Sequence, residues 1–163
     1  MSQQPLTVLV LCTGNSCRSV LGEALINHLG SDRLRALSAG SHPVGRINEN
    51  ALATLARHGL PTEGYRSQSW DEFEGERIDI LITVCDSAAG ETCPVYLGKV
   101  VRGHWGLPDP AHMQGTPEKI EAAFEATYAA LEKRINALLA LPFESLGASE
   151  LADTLNRIGV EIN

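Results

Sequence analysis

The sequence predicts an α/β fold, a three-layer sandwich on a mostly parallel sheet of four strands, and two observations carry that expectation. Strand-like runs alternate with helical patterns along the chain, the order that builds a parallel sheet flanked by helices. The first run, residues 6–12, is apolar almost throughout, as a strand covered on both faces should be. At 163 residues the chain is expected to form one domain, residues 1–163, burying roughly two-thirds of its unfolded surface.

The first strand reads Leu-Thr-Val-Leu-Val-Leu-Cys over residues 6–12. After a small, polar loop, Val20, Leu21, Ala24, Leu25, His28 and Leu29 recur at helical spacing until Gly30 ends the pattern. Leu34–Ala39 is a short second strand. Asn48 is placed to cap a helix carrying Leu52, Leu55 and Ala56, which stops at Gly59, Leu60 and Pro61. A polar connection over 62–76 follows, with a short helix expected near Trp70–Phe73. Residues 78–85, Ile-Asp-Ile-Leu-Ile-Thr-Val-Cys, are the most strand-like run of the chain, and residues 100–105 form a weaker fourth strand. Thr116 and Pro117 open the longest helix as cap and first residue, and Ile120, Phe124, Leu131, Ile135 and Leu138 keep its spacing until Pro142. A last helix over 149–158 is expected to bury Leu151, Leu155 and Ile158.

The net charge of −7 argues against a general binder of nucleic acid or of anionic membrane. The first residues carry no basic region and the apolar run after them is too short for a signal or membrane segment, so a cytoplasmic protein is expected. Structural disulfides are rare there. The four cysteines are therefore better read as catalytic, redox-active, metal-binding or incidental.

Ligand sites of parallel sheets lie outside the carboxyl ends of the strands. Cys12 closes the first strand and Cys85 the third, so both belong to that edge. If the two strands are neighbours, as in a flavodoxin-like order, the thiols should stand about 5–10 Å apart. Residues 12–19, Cys-Thr-Gly-Asn-Ser-Cys-Arg-Ser, join the first strand to the first helix. In such a loop the N–H groups of Thr13, Gly14, Asn15, Ser16, Cys17 and Arg18 can ring an anion at a helix N-terminus. Gly14 is expected to supply a positive φ, Arg18 two parallel hydrogen bonds to a tetrahedral oxyanion, and Ser19 a hydroxyl that lowers the pKa of the Cys12 thiol. The plainer alternative is a buried cysteine followed by an ordinary turn; the tight C-x₅-R-S array favours the oxyanion loop. Cys17 reads as small filler.

These residues resemble the loop of the low-molecular-weight protein tyrosine phosphatase family, and most closely that of the thioredoxin-coupled arsenate reductases built on its fold. The likeness continues through Leu-Ser-Ala-Gly at 37–40, Val-Cys-Asp-Ser-Ala-Ala-Gly-Glu-Thr-Cys-Pro at 84–94 and His-Trp-Gly-Leu-Pro-Asp-Pro-Ala at 104–111, covering roughly the first 140 residues. It implies that fold, Cys12 as nucleophile and Asp109 as general acid. It also implies arsenate, with phosphate or sulfate as mimics, as the oxyanion. The family's phosphatases carry tyrosines after this aspartate; here Ala111, His112 and Met113 follow, which argues against an aromatic protein substrate.

Reducing arsenate to arsenite takes two electrons, and two thiols closing to a disulfide supply two. The resemblance thus implies Cys85 and Cys93 as successive resolving thiols, an external thioredoxin or glutaredoxin as reductant, and no bound organic cofactor. Seven residues separate Cys85 from Cys93, slightly more than in the thioredoxin-coupled members. A zinc site is the other reading of the cysteines, but no C-x₂-C pair or cysteine–histidine cluster at zinc spacing is present. Asn15, Glu23 and Ser38 fall where some relatives hold potassium, although the aspartate expected within 67–69 is missing. His42 and His104 are expected to be structural, and Trp70 and Trp105 to pack. The expectation is a monomeric, cytoplasmic arsenate reductase serving arsenic detoxification. The alternative is a tyrosine phosphatase acting through Cys12, Arg18 and Asp109.

Overall fold

The computed structural model describes residues 5–30, 32–85, 97–98 and 100–162. Four strands, β1 (Leu6–Leu11), β2 (Leu34–Ala39), β3 (Ile80–Thr83) and β4 (Val101–His104), form one sheet in the order β2-β1-β3-β4, with every neighbouring pair parallel. This is the α/β fold expected, with the first and third strands side by side. β1 from Thr7 onward and all of β3 are buried, because helices cover both faces of the central strands. Leu11 lies opposite both Ala39 and Thr83, so the chain segments leaving β1 and β3 emerge together at one edge.

The helices are α1 (Arg18–Leu29), α2 (Glu49–Arg57), α3 (Pro117–Leu139) and α4 (Ala148–Glu161). α1 packs on β1 and β2 and against α3; α2 packs on α3, and α4 on β4. Asn48 caps α2 through Oδ1, which accepts from the N–H groups of Asn50 and Ala51 at 2.8 and 3.3 Å. Thr116 caps α3, with Pro117 in its first turn. The short helix expected near Trp70 is a 3₁₀ turn, Trp70–Phe73, closed by a capping box from Ser69 and Glu72. No helix among the described residues is long and apolar enough to cross a membrane.

The segment after Pro142 docks on the sheet's open edge. α4 approaches so closely that a Cβ on Gly159 would stand 2.2 Å from the His104 carbonyl oxygen. Asn156 Oδ1 accepts the outward N–H of His104 at 2.9 Å, and Trp105 donates from Nε1 to the Leu155 carbonyl at 2.9 Å. An unpaired edge N–H is thereby satisfied. Arg134, almost fully buried, donates from Nε to the Ile162 carbonyl at 2.8 Å and from Nη1 to the Gly106 carbonyl at 3.4 Å.

Arg33 fastens the start of this segment. It forks onto both carboxylate oxygens of Glu144 at 2.7 and 2.8 Å, donates to the Leu139 and Leu141 carbonyls, and lies 4.5 Å over the Phe143 ring. The hydrogen bond to Arg33 holds the Glu144 carboxyl down to about 2. Arg33→Ala is expected to cost about 1–2 kcal/mol after solvent screening, a drop of about 2–8 °C in melting temperature for a chain of this size. Glu144's share has a definite sign: a depressed carboxyl stabilises above its unfolded value of 4.5 and loses that contribution as pH falls toward about 2. The gap between the melting temperatures of wild type and Arg33→Ala should therefore narrow in acid.

Candidate active site

The loop 12–19 is held from behind by its carbonyls. Thr13 O accepts from the N–H of His42 at 3.0 Å, Gly14 O from Val44 N–H at 3.0 Å and Ser67 Oγ at 3.1 Å, and Ser16 O from Asn48 N–H at 2.9 Å. Carbonyls drawn outward turn their peptide N–H groups toward the inside of the loop, the arrangement of an anion nest. The Gly14 N–H indeed reaches the Cys12 sulfur. α1 begins at Arg18 with no side-chain cap and no acidic residue in its first turn, leaving its positive end for an anion.

Two local expectations are corrected. Gly14 does not take positive φ; Asn15 does, at φ 46°, and asparagine tolerates this region better than most residues. The Ser19 hydroxyl accepts Asn15 Nδ2–H at 2.8 Å and, among the described hydrogen bonds, makes none to Cys12. The lowering of the Cys12 pKa expected from Ser19 is absent. That thiol is pushed well above the usual range, first by its hydrogen bond with Cys85 and then by burial, while the Arg18 guanidinium and the Gly14 N–H pull the other way.

The Cys12 and Cys85 thiols, expected at one sheet edge, do act on each other there: the Cys85 side chain is the first cause of the raised Cys12 pKa. Cys85 is buried, and Thr13 directs its N–H at the Cys85 Sγ from 3.4 Å. The cause is register: with Leu11 opposite Thr83, continuing each strand by two residues brings Thr13 beside Cys85. Cys12, Cys17 and Cys85 are free thiols; Cys93 lies outside the described residues.

Arg18 reaches across to the segment after β4. Nη1 donates to the Leu107 carbonyl at 2.9 Å and Nη2 stands 3.6 Å from Asp109 Oδ2. Its Nε is buried with no hydrogen-bond partner among the described residues. A buried donor in that condition is destabilising unless an acceptor arrives, and an oxyanion over the loop would be one. Asp109 also accepts the Ala111 N–H at 3.0 Å, starting the 3₁₀ turn Pro110–His112.

Asn15, Ser38 and Glu23 do come together, in a chain. Asn15 Nδ2 donates to Ser38 Oγ at 3.0 Å, Ser38 Oγ donates to Glu23 Oε1 at 2.6 Å, and Asn15 Oδ1 accepts from Gln68 N–H at 2.8 Å. Burial pushes the Glu23 carboxyl up to about 7, against the pull of Ser38. The set fits a cation poorly: Asn15 turns its nitrogen inward and its oxygen is already bound to Gln68. It is a strut under the loop, and Ser67 and Gln68, where an aspartate was expected, help to build it. Asn15→Ala removes three hydrogen bonds, two of them buried, and leaves alanine at positive φ, so a loss of about 2–4 kcal/mol in urea unfolding is expected.

Residues 7–151 match the family described as low molecular weight phosphotyrosine protein phosphatase. The chain belongs to this family. Within the low molecular weight phosphatase family it is 36% identical over 118 residues to an arsenate reductase of Bacillus subtilis, covering 72% of this chain and 84% of that protein. It is 37% identical over 130 residues to one of Bacillus licheniformis, covering 79% and 91%. The crystal structure of an arsenate reductase from Archaeoglobus fulgidus superposes with a TM-score of 0.68 at 28% identity, covering 82% of this chain and 99% of that one. The chain is an enzyme of this family.

The sequence did not point to several parts of this low molecular weight phosphatase site. The role of Gly40, which closes the Leu-Ser-Ala-Gly stretch, is one: a Cβ there would stand 2.4 Å from the Thr13 carbonyl oxygen, so only glycine lets β2 end beneath the loop. The Leu107 carbonyl and the backbone of His42, Val44 and Asn48 are others; backbone groups leave no residue-type signal. Beside the loop opens a cleft of about 530 Å³ lined by Ser16, Val44, Arg46, Ile47, Asn48, Glu49 and Asn50. None of these is aromatic.

Proposed function

We propose that this enzyme reduces arsenate to arsenite through thiol–disulfide exchange, with Cys12 as nucleophile and Cys85 and Cys93 as resolving thiols. The observation that carries this reading is the buried Cys85 thiol at the oxyanion loop, where it takes the Thr13 N–H at 3.4 Å and acts on Cys12; of the thiols, hydrolysis would need Cys12 alone. The arsenate reductases to which the chain is identical at over a third of the aligned residues support the substrate.

Arsenate enters the loop, where the N–H groups of Thr13, Gly14, Asn15, Ser16, Cys17 and Arg18 and the guanidinium of Arg18 receive its oxygens. The Cys12 sulfur attacks arsenic. Its thiol proton and the departing hydroxyl leave, in net, as water, with Asp109 passing a proton to the leaving oxygen. The Cys85 thiol then attacks the Cys12 sulfur of the adduct. The S–As bond breaks, its electron pair stays on arsenic, arsenite departs with the proton of the Cys85 thiol, and Cys12 and Cys85 are joined. The Cys93 thiol attacks Cys85, returning Cys12 as a thiol, and an external dithiol of the thioredoxin or glutaredoxin kind reduces the resulting pair. We read the enzyme as cytoplasmic, the compartment in which such dithiols are kept reduced.

Arsenate-dependent NADPH oxidation with thioredoxin and thioredoxin reductase tests the reading. Wild type should turn over, and Cys12→Ser, Cys85→Ser and Cys93→Ser should not. Normal turnover by either resolving-thiol variant would sink the relay. The same loop, Arg18 and Asp109 suit hydrolysis of a simple phosphate ester, so slow phosphatase activity dependent on Cys12 is expected beside it.

A further inference from the structure

The relay leaves Cys17 without a role, yet its side chain makes a specific contact. The thiol is buried and donates to Asp109 Oδ1 at 3.5 Å. Burial and the Asp109 carboxylate push it up to about 12, so it remains a protonated donor at any working pH. Among the described residues, the other partners of the Asp109 carboxyl are Arg18 Nη2 at 3.6 Å, His112 Nε2 at 3.4 Å and the Ala111 N–H at 3.0 Å. Arg18 is the group that the oxyanion claims. His112 is 85% exposed and holds little in water. Ala111 lies in the same turn as Asp109 and moves with it. Among these contacts, only Cys17 ties the carboxyl to the oxyanion loop through a group that the reaction does not take away.

We propose that Cys17 is a positioning residue, whose S–H keeps the Asp109 carboxyl over the oxyanion loop when Arg18 turns to the substrate. The proposal rests on the reading of Asp109 as general acid and gives that acid a fixed reference on the other side of the site. It requires a donor of about this size at position 17, so serine should serve and alanine should not.

The test is single-turnover arsenite release from fully reduced protein, without a recycling partner, as arsenate concentration is varied. Wild type, Cys17→Ala, Cys17→Ser, Asp109→Ala and the Cys17→Ala/Asp109→Ala pair are compared, with a melting curve for each. Cys17→Ala should slow the saturated rate about three- to tenfold and leave the half-saturating arsenate concentration unchanged. Cys17→Ser should recover most of the rate. In the Asp109→Ala background, Cys17→Ala should slow nothing further, because its contact is already gone. A wild-type rate for Cys17→Ala, failure of serine to rescue a variant that melts normally, or losses that multiply in the double variant would each overturn the proposal while leaving Asp109 as the acid. A wild-type rate for Asp109→Ala would overturn the acid reading itself, and the positioning role with it.

Discussion

Cys85→Ser is expected to abolish arsenite formation, by about a thousandfold or more, while Cys12-dependent hydrolysis of p-nitrophenyl phosphate survives. The two outcomes separate because the chemistry divides at Cys85. Attack of Cys12 on a tetrahedral centre needs only the loop, Arg18 and Asp109. Removal of arsenite needs a second sulfur that can give up an electron, and a serine hydroxyl in the same place cannot form the disulfide. The geometry sharpens the contrast. Cys85 is buried and receives the Thr13 N–H, from the residue after Cys12, at 3.4 Å, so the thiol that should attack sits at the loop that carries its target. The hydrogen bond with Cys85 is also the first cause of the raised Cys12 pKa. Replacing Cys85 by alanine should therefore move the pH dependence of hydrolysis toward lower pH, because the thiol loses the partner that holds its proton. Arsenite release, ester hydrolysis and its pH profile on the same preparations check all three points.

Arg18→Lys is expected to cost about a hundred- to a thousandfold in both activities. Lysine keeps the charge but replaces a planar fork by one ammonium. Arg18 Nη1 braces the Leu107 carbonyl at 2.9 Å while Nη2 faces Asp109 at 3.6 Å, and the buried Nε is the donor that lacks a partner. An ammonium cannot brace the segment before Asp109 and also offer two parallel donors to an oxyanion. The loss should appear both in the half-saturating concentration of arsenate and in the saturated rate, because one side chain serves binding and the placement of the acid. Steady-state kinetics with arsenate, and separately with p-nitrophenyl phosphate, would show it; a change confined to one of the two parameters would mean that these roles are separable.

The backbone of this enzyme was legible in its residues, and the partners of its side chains were not. Apolar runs, the Asn48 and Thr116 caps and the breaks at Gly30 and Pro142 report local forces, and the elements they mark are present within a few residues. That Cys12 and Cys85 leave the sheet at one edge followed from topology alone. The seat of Cys85 against the Thr13 backbone did not, because it depends on the register between β1 and β3. The loop shows the same division. Its role in ringing an anion was readable from C-x₅-R-S, but positive φ fell to Asn15 rather than Gly14, since Gln68, Ser38 and Ser19 together hold the asparagine amide in place. Those partners come from three separate stretches of the chain. Cys17 looked like filler because the carboxylate that it meets is 92 residues away. The segment after Pro142 gave only a helical period; its seat on β4 depends on the outward N–H of His104 and on the closeness that Gly159 allows.

The most direct test of the relay is to stop it after one step. Reduced Cys93→Ser protein is mixed with excess arsenate in the absence of any other thiol, quenched in acid and alkylated, and its peptides are mapped by mass spectrometry. The expected result is one arsenite per chain together with a disulfide joining Cys12 to Cys85. Arsenite released while both of those cysteines remain open to alkylation, or a disulfide that leaves Cys85 free, would contradict the account.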